Sequence, residues 1–112
     1  MITASISNNI THKKDKPAIT LLMETNTTKE IRIAMLKGQE MKDHAAPNPI
    51  VVEIFEGEII FGVDNKEFQL KKGDLIALNA NEVHNLICIE NAIIRLTIAK
   101  TDSVNRVNKV VS

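Results

Sequence analysis

Residues 38–88 read GQEMKDHAAPNPIVVEIFEGEIIFGVDNKEFQLKKGDLIALNANEVHNLIC. Short apolar runs alternate here with turn chemistry: Gly57, then Asp64-Asn65-Lys66, then Lys71-Lys72-Gly73-Asp74, then Asn79-Ala80-Asn81-Glu82. Ile59, Phe61 and Val63 recur at period two, the repeat of a half-buried strand and not of a helix. Pro47 and Pro49 exclude a helix between His44 and Ile50. Upstream, Ile19, Leu21 and Met23 share one parity, and Glu30 to Met35 alternate polar with apolar. Downstream, Ile94, Leu96 and Ile98 lie on one face with Arg95 and Thr97 on the other. Eight or nine short strands at about ten-residue spacing predict an all-β sandwich or barrel.

The ends differ from this core. Residues 1–17 are polar and close at Pro17, which predicts a flexible N-terminal tail, with His12 a solvated histidine inside it. Residues 18–100 make the barrel. Residues 101–112 carry Val104, Val107, Val110 and Val111 among polar residues, compatible with a closing strand, a poor helix, or an arm reaching onto a partner.

With 112 residues the chain is one domain, and with three Phe and no Trp or Tyr its core must be aliphatic. Fourteen basic side chains balance fourteen acidic ones, so neither a basic footprint nor an aromatic platform for nucleic acid exists. One cysteine makes no internal disulfide, and no run is long enough to span a membrane. The expectation is a cytoplasmic protein without nucleic-acid or membrane partners. Ile50-Val51-Val52, Leu75 to Leu78 and Leu86 to Ile89 are apolar on both strand faces, which predicts that a second copy covers the outer face in a homodimer.

His44 and His84, forty residues apart, each stand at the mouth of an apolar run. Gly38 followed by His44 and by Phe55-Glu56-Gly57-Glu58, then Gly73-Asp74 with its turn and His84, resembles the two motifs of the cupins. The run Leu70-Lys71-Lys72-Gly73-Asp74 is typical of that superfamily, and the likeness covers residues 19–99. It implies a jelly-roll barrel of two antiparallel sheets, commonly dimeric, with a small molecule bound inside. Metal-dependent members use two His and a Glu from the first motif and one His from the second. In this chain the corresponding positions are His44, Ala46, Ile50 or Val51, and His84, so two of four ligands remain.

The resemblance makes His44 and His84 candidate ligands of one divalent transition metal (Zn, Ni, Fe or Mn). Two imidazoles supply half of a tetrahedral shell, and Glu40, Asp43, Glu53 and Cys88 are the candidates for a recruited third donor. Cys88 in an apolar run also reads as an inert small hydrophobe. No nucleophile elbow, Cys-x-x-Cys or phosphate-cradling glycine loop occurs. The first expectation is a single-domain cupin that binds a small molecule without turnover of its own. The alternatives are a metal-dependent oxygenase or isomerase of small organic acids, and a structural or accessory dimer.

Overall fold

The computed structural model of the chain describes residues 1–111. Seven antiparallel strands and one helix follow in order: β1 (Ala18–Glu24), β2 (Thr28–Met35), β3 (Glu40–His44), β4 (Ile50–Val63), β5 (Lys66–Lys71), β6 (Leu75–Leu78), β7 (His84–Ala99) and α1 (Val104–Val110). The all-β jelly roll expected from the sequence is present. The strands are fewer because two of them are long and bent. Gly57 and the Glu90-Asn91 region read as interruptions, yet β4 and β7 run through them unbroken, paired to each other along their whole length.

The bend has a local cause. The β4–β7 register shifts between Ile54 and Ile59, and Gly57 sits there with φ 84. A Cβ on Gly57 would lie 2.2 Å from the Asn91 carbonyl oxygen, so only glycine lets the two strands bend together. Each strand therefore serves two layers. The first half of β4 pairs with β6 and with the second half of β7, which also pairs with β2 and through it reaches β1. The second half of β4 pairs with β5 and with the first half of β7, which also pairs with β3. Folding one layer over the other makes the barrel.

Period-two patterning fills its interior. Ile31, Ile33 and Met35 of β2, Ile94 and Ile98 of β7, Ile54 of β4, and Phe61 and Cys88 from the other layer pack into one buried cluster. The hairpin between β4 and β5 is a two-residue turn in which Asp64 and Asn65 both have φ 58, the left-handed pair that suits the twist of a hairpin. β3 has no counterpart in the sequence reading, since Met41 is its only apolar residue.

The two ends of the chain pack on this barrel. Ile6 and Ile10, with Phe55, lie against Ala18, Ala34 and Ile93 on the outer face of the first layer. The runs for which the sequence predicts a second copy lie elsewhere, and Leu75 and Ile87 in them stay exposed. At the other end, residues 104–110 take the helical option. Ser103 caps α1, its Oγ accepting from the Arg106 amide at 3.1 Å, and Val107 of the helix joins the core at 2% exposure.

Candidate functional site

Register brings the two histidines together. His44 ends β3 and His84 begins β7, and the two are direct partners across that ladder. Side chains directly opposite on one face of a sheet touch, and here the ring centroids are 4.1 Å apart at 60°. Phe61, next to His84 on the β4 side, stacks on it at 5.4 Å and 12°. His84 is buried and His44 is half-buried.

Each imidazole is oriented by its own strand entry. His44 Nδ1 lies 2.6 Å from the Lys42 carbonyl oxygen and His84 Nδ1 lies 2.9 Å from that of Glu82. A carbonyl only accepts, so both Nδ1 atoms carry the proton and donate it. Each Nε2 is then the lone-pair nitrogen, open to a ligand. Burial lowers the pKa of His44; the Lys42 carbonyl opposes this, and His84 and Arg106 add to it. His84 is likewise lowered by burial and by Arg106, against the Glu82 carbonyl. Both rings are neutral acceptors at neutral pH.

Below them lies a cavity of about 20 Å3, walled by strand residues such as Ile33, Val52, Ile94 and Leu96. Its remaining wall is α1, which contributes Arg106, Val107 and Val110. Arg106 is held bidentately by Asp102, with Nε to Oδ1 at 2.7 Å and Nη2 to Oδ2 at 2.6 Å. Its Nη1 reaches the Ala45 carbonyl oxygen at 3.4 Å, next to His44. Burial would raise the Asp102 pKa, but the hydrogen bonds from Arg106 and the Ser103 amide, with the charges of Arg106 and Lys29, hold it below the ordinary value.

None of the four candidate third donors joins the pair. Glu53 is ion-paired with Arg95 at 2.8 Å on the outer face, and Glu40 is exposed. Asp43 accepts from the Asn85 side chain at 2.8 Å. Cys88 is buried, donates to the Glu90 carbonyl at 3.0 Å, and has its thiol pushed up to about 11 by burial. Among the described residues no group of three or more His, Cys, Asp or Glu could hold a metal ion. Two imidazoles beside the Arg106 cation do not fit a resident metal centre. Arg106 is the part of the site absent from the sequence reading, in which its helix is one of three options for residues 101–112.

The geometry agrees with what the sequence is related to. The cupin domain family model matches residues 31–99. The chain belongs to the cupin family. Solved structures show the same barrel: an RmlC-like cupin from Desulfovibrio desulfuricans is 18% identical, with TM-score 0.80, over 88% of this chain and 96% of its own. A protein from Thermus thermophilus is 20% identical, with TM-score 0.79, over 88% and 98%. A conserved protein of unknown function from Streptococcus pyogenes is 20% identical, with TM-score 0.75, over 91% and 90%. No curated protein sequence matches the chain. At these identities the structures speak for the fold of this cupin. Among the described residues no helix is long and apolar enough to cross a membrane.

Proposed function

We propose that this cupin binds a small molecule at the mouth of the barrel, with His44 and His84 as the polar anchor, and that it does so without turnover of its own. The supporting observation is the pair itself: two neutral imidazoles in contact, each oriented through Nδ1, above apolar walls. Pockets that bind small molecules combine an apolar lining with a few fixed polar groups in this way. What argues against catalysis is the shortage of partners. Among the described residues neither imidazole has a carboxylate hydrogen-bonded to its ring, and both are tied instead to backbone carbonyls.

A divalent ion (Zn, Ni, Fe or Mn) on the two Nε2 atoms would need its remaining donors from the bound molecule or from water. A homodimer and a cytoplasmic setting belong to the same reading. Leu75 and Ile87 stay exposed at 59% and 38%, and they are available to a second copy. Sedimentation velocity checks the dimer.

The deciding experiment is a ligand-observed NMR screen of small fragments against the wild type, His44→Ala and His84→Ala, with elemental analysis of protein purified without a metal column. The expected result is a set of binders weakened at least tenfold by both substitutions, and no stoichiometric metal in the unliganded protein. Binders indifferent to both substitutions would refute the site. Stoichiometric metal that disappears in His84→Ala would replace the metal-free reading with the ion-centred one.

A further inference from the structure

A cavity of about 20 Å3 holds about one water molecule. No organic molecule fits it as the structure stands, so binding at the histidine pair requires one wall to move. Every wall but one consists of strand residues tied into ladders on β2, β3, β4 and β7, or of the loop between β3 and β4. The exception is α1, seven residues long and far too short to be stable apart from what it packs on. It is held by side chains: the Ser103 cap and the Asp102–Arg106 pair at 2.6 Å within the segment, Arg106 Nη1 to the Ala45 carbonyl oxygen at 3.4 Å, and Val104, Val107, Val110 and Val111 packed on the core. An element docked by side chains, outside the backbone ladders, belongs to the part of a fold that opens first.

The chemistry left behind when α1 lifts is specific. Both Nδ1 atoms face acceptor-only carbonyls, so both Nε2 atoms accept and neither donates. Arg106, the one Lys or Arg of the lining among the described residues, leaves with the helix. A carboxylate entering the open mouth would set its charge against two lone pairs with no proton to share. A hydroxyl donates to an Nε2 and buries its carbon body against Ile33, Val52, Ile94 and Leu96. We infer that α1 is a removable plug, and that the molecule taking its place is small and neutral, with an apolar body and a hydroxyl head. The second half of this inference rests on the histidine pair being the binding centre; the first half does not.

Two measurements test the two halves separately. Diethyl pyrocarbonate acylates accessible imidazoles, and exposed His12 is an internal reference in the same chain. In the wild type His84 should be modified at least tenfold more slowly than His12. In full-length Arg106→Ala, which breaks the clasp with the rest of the helix sequence intact, its rate should rise several-fold toward that of His12. Should that variant lose its cooperative melt, Asp102→Asn replaces it, since it weakens the same clasp from the other side. Equal rates for His84 and His12 in the wild type, or an unchanged His84 rate in a folded opened variant, would overturn the plug. The head group is tested by titrating the opened variant with phenol and with benzoate, followed by amide NMR. Phenol should bind at least tenfold more tightly than benzoate, and at least tenfold more tightly than it binds the wild type. Benzoate binding as well as phenol would overturn the hydroxyl assignment. Phenol binding undiminished by His44→Ala in that background would instead remove the histidine pair as the centre, while the labelling result for the plug would stand.

Discussion

The inner and outer faces of β2 and β7 solve opposite problems. Inside, Ile31, Ile33, Ile94 and Ile98 fill a common space and ask nothing of one another beyond shape. Outside, Arg32 and Arg95 are direct partners across the same ladder, and like charges so placed repel. The chain treats them differently. Arg95 is given carboxylates, Glu30 at 2.7 Å and Glu53 at 2.8 Å. Arg32 is 5% exposed and is given carbonyl oxygens of the N-terminal segment: Asn8 at 2.9 Å, Asn9 at 3.2 Å and Ile6 at 3.3 Å. One arginine is neutralised within the sheet, and the other recruits a distant stretch of chain to cover it. The lesson is that the inner face sets the fold, whereas the outer face decides what docks on it.

The largest break in that comparison comes from the inside. Ile94 is fully buried and lies where the barrel core meets the cavity. Ile94→Ala removes three carbons from a site whose neighbours are held in ladders and cannot collapse freely. A loss of roughly 2–5 kcal/mol is expected, measured by urea denaturation. A loss under about 1 kcal/mol would mean that this wall is already loose, and that the pocket is less defined than its geometry implies.

How much of this could be read in the sequence follows the same division. Inner-face residues announce themselves by period two, and so the barrel and its strand parities were legible. The histidine pair was legible through the likeness of its two stretches to the cupin motifs, whereas the β3–β7 register that sets the rings directly opposite each other was not. The partners of Arg32 were not. They are backbone carbonyls, which every residue owns, so no side chain in residues 6–9 signals the contact. α1 was legible only as one of three options. Val104, Val107 and Val111 have helical spacing behind Ser103 at the cap, but valine favours strands and the segment is short. Its choice is decided by packing over the barrel mouth, which is a tertiary fact. β3, with a single apolar residue, carried no pattern.

The second break is on the outer face. Arg32→Met keeps a long apolar stem but removes the donors that gather Ile6, Asn8 and Asn9. The carbonyls they release can turn to water only if the segment lifts. The expected loss is about 1–3 kcal/mol, accompanied by release of the N-terminal residues. Limited trypsin digestion reads the release directly, since Lys13 and Lys14 lie just beyond the docked stretch. Cleavage there should accelerate several-fold relative to the wild type. Unchanged cleavage would show that Ile6 and Ile10, packed against Ala18, Ala34 and Ile93, hold the segment without the arginine.

The smallest effect separates the two arginines by kind. Arg95 is one-third exposed, with Glu30 and Glu53 at 16% and 28%. Ion pairs in such partly wet places contribute about 1 kcal/mol or less, and they weaken as salt shortens the screening length from about 10 Å at 0.1 M to about 3 Å at 1 M. Arg95→Met therefore has two opposed consequences: it strands two carboxylates beside each other, and it removes the repulsion felt by Arg32. A net loss of about 1 kcal/mol is expected at low salt, falling toward zero in 1 M NaCl as the stranded carboxylates are screened. Arg32→Met should show no such dependence, because a guanidinium bound to carbonyls is held by short-range hydrogen bonds in a buried place. The comparison of slopes matters more than either value. If both variants respond to salt alike, the two arginines form one shared electrostatic unit, and the division between sheet-paired and tail-paired charge fails.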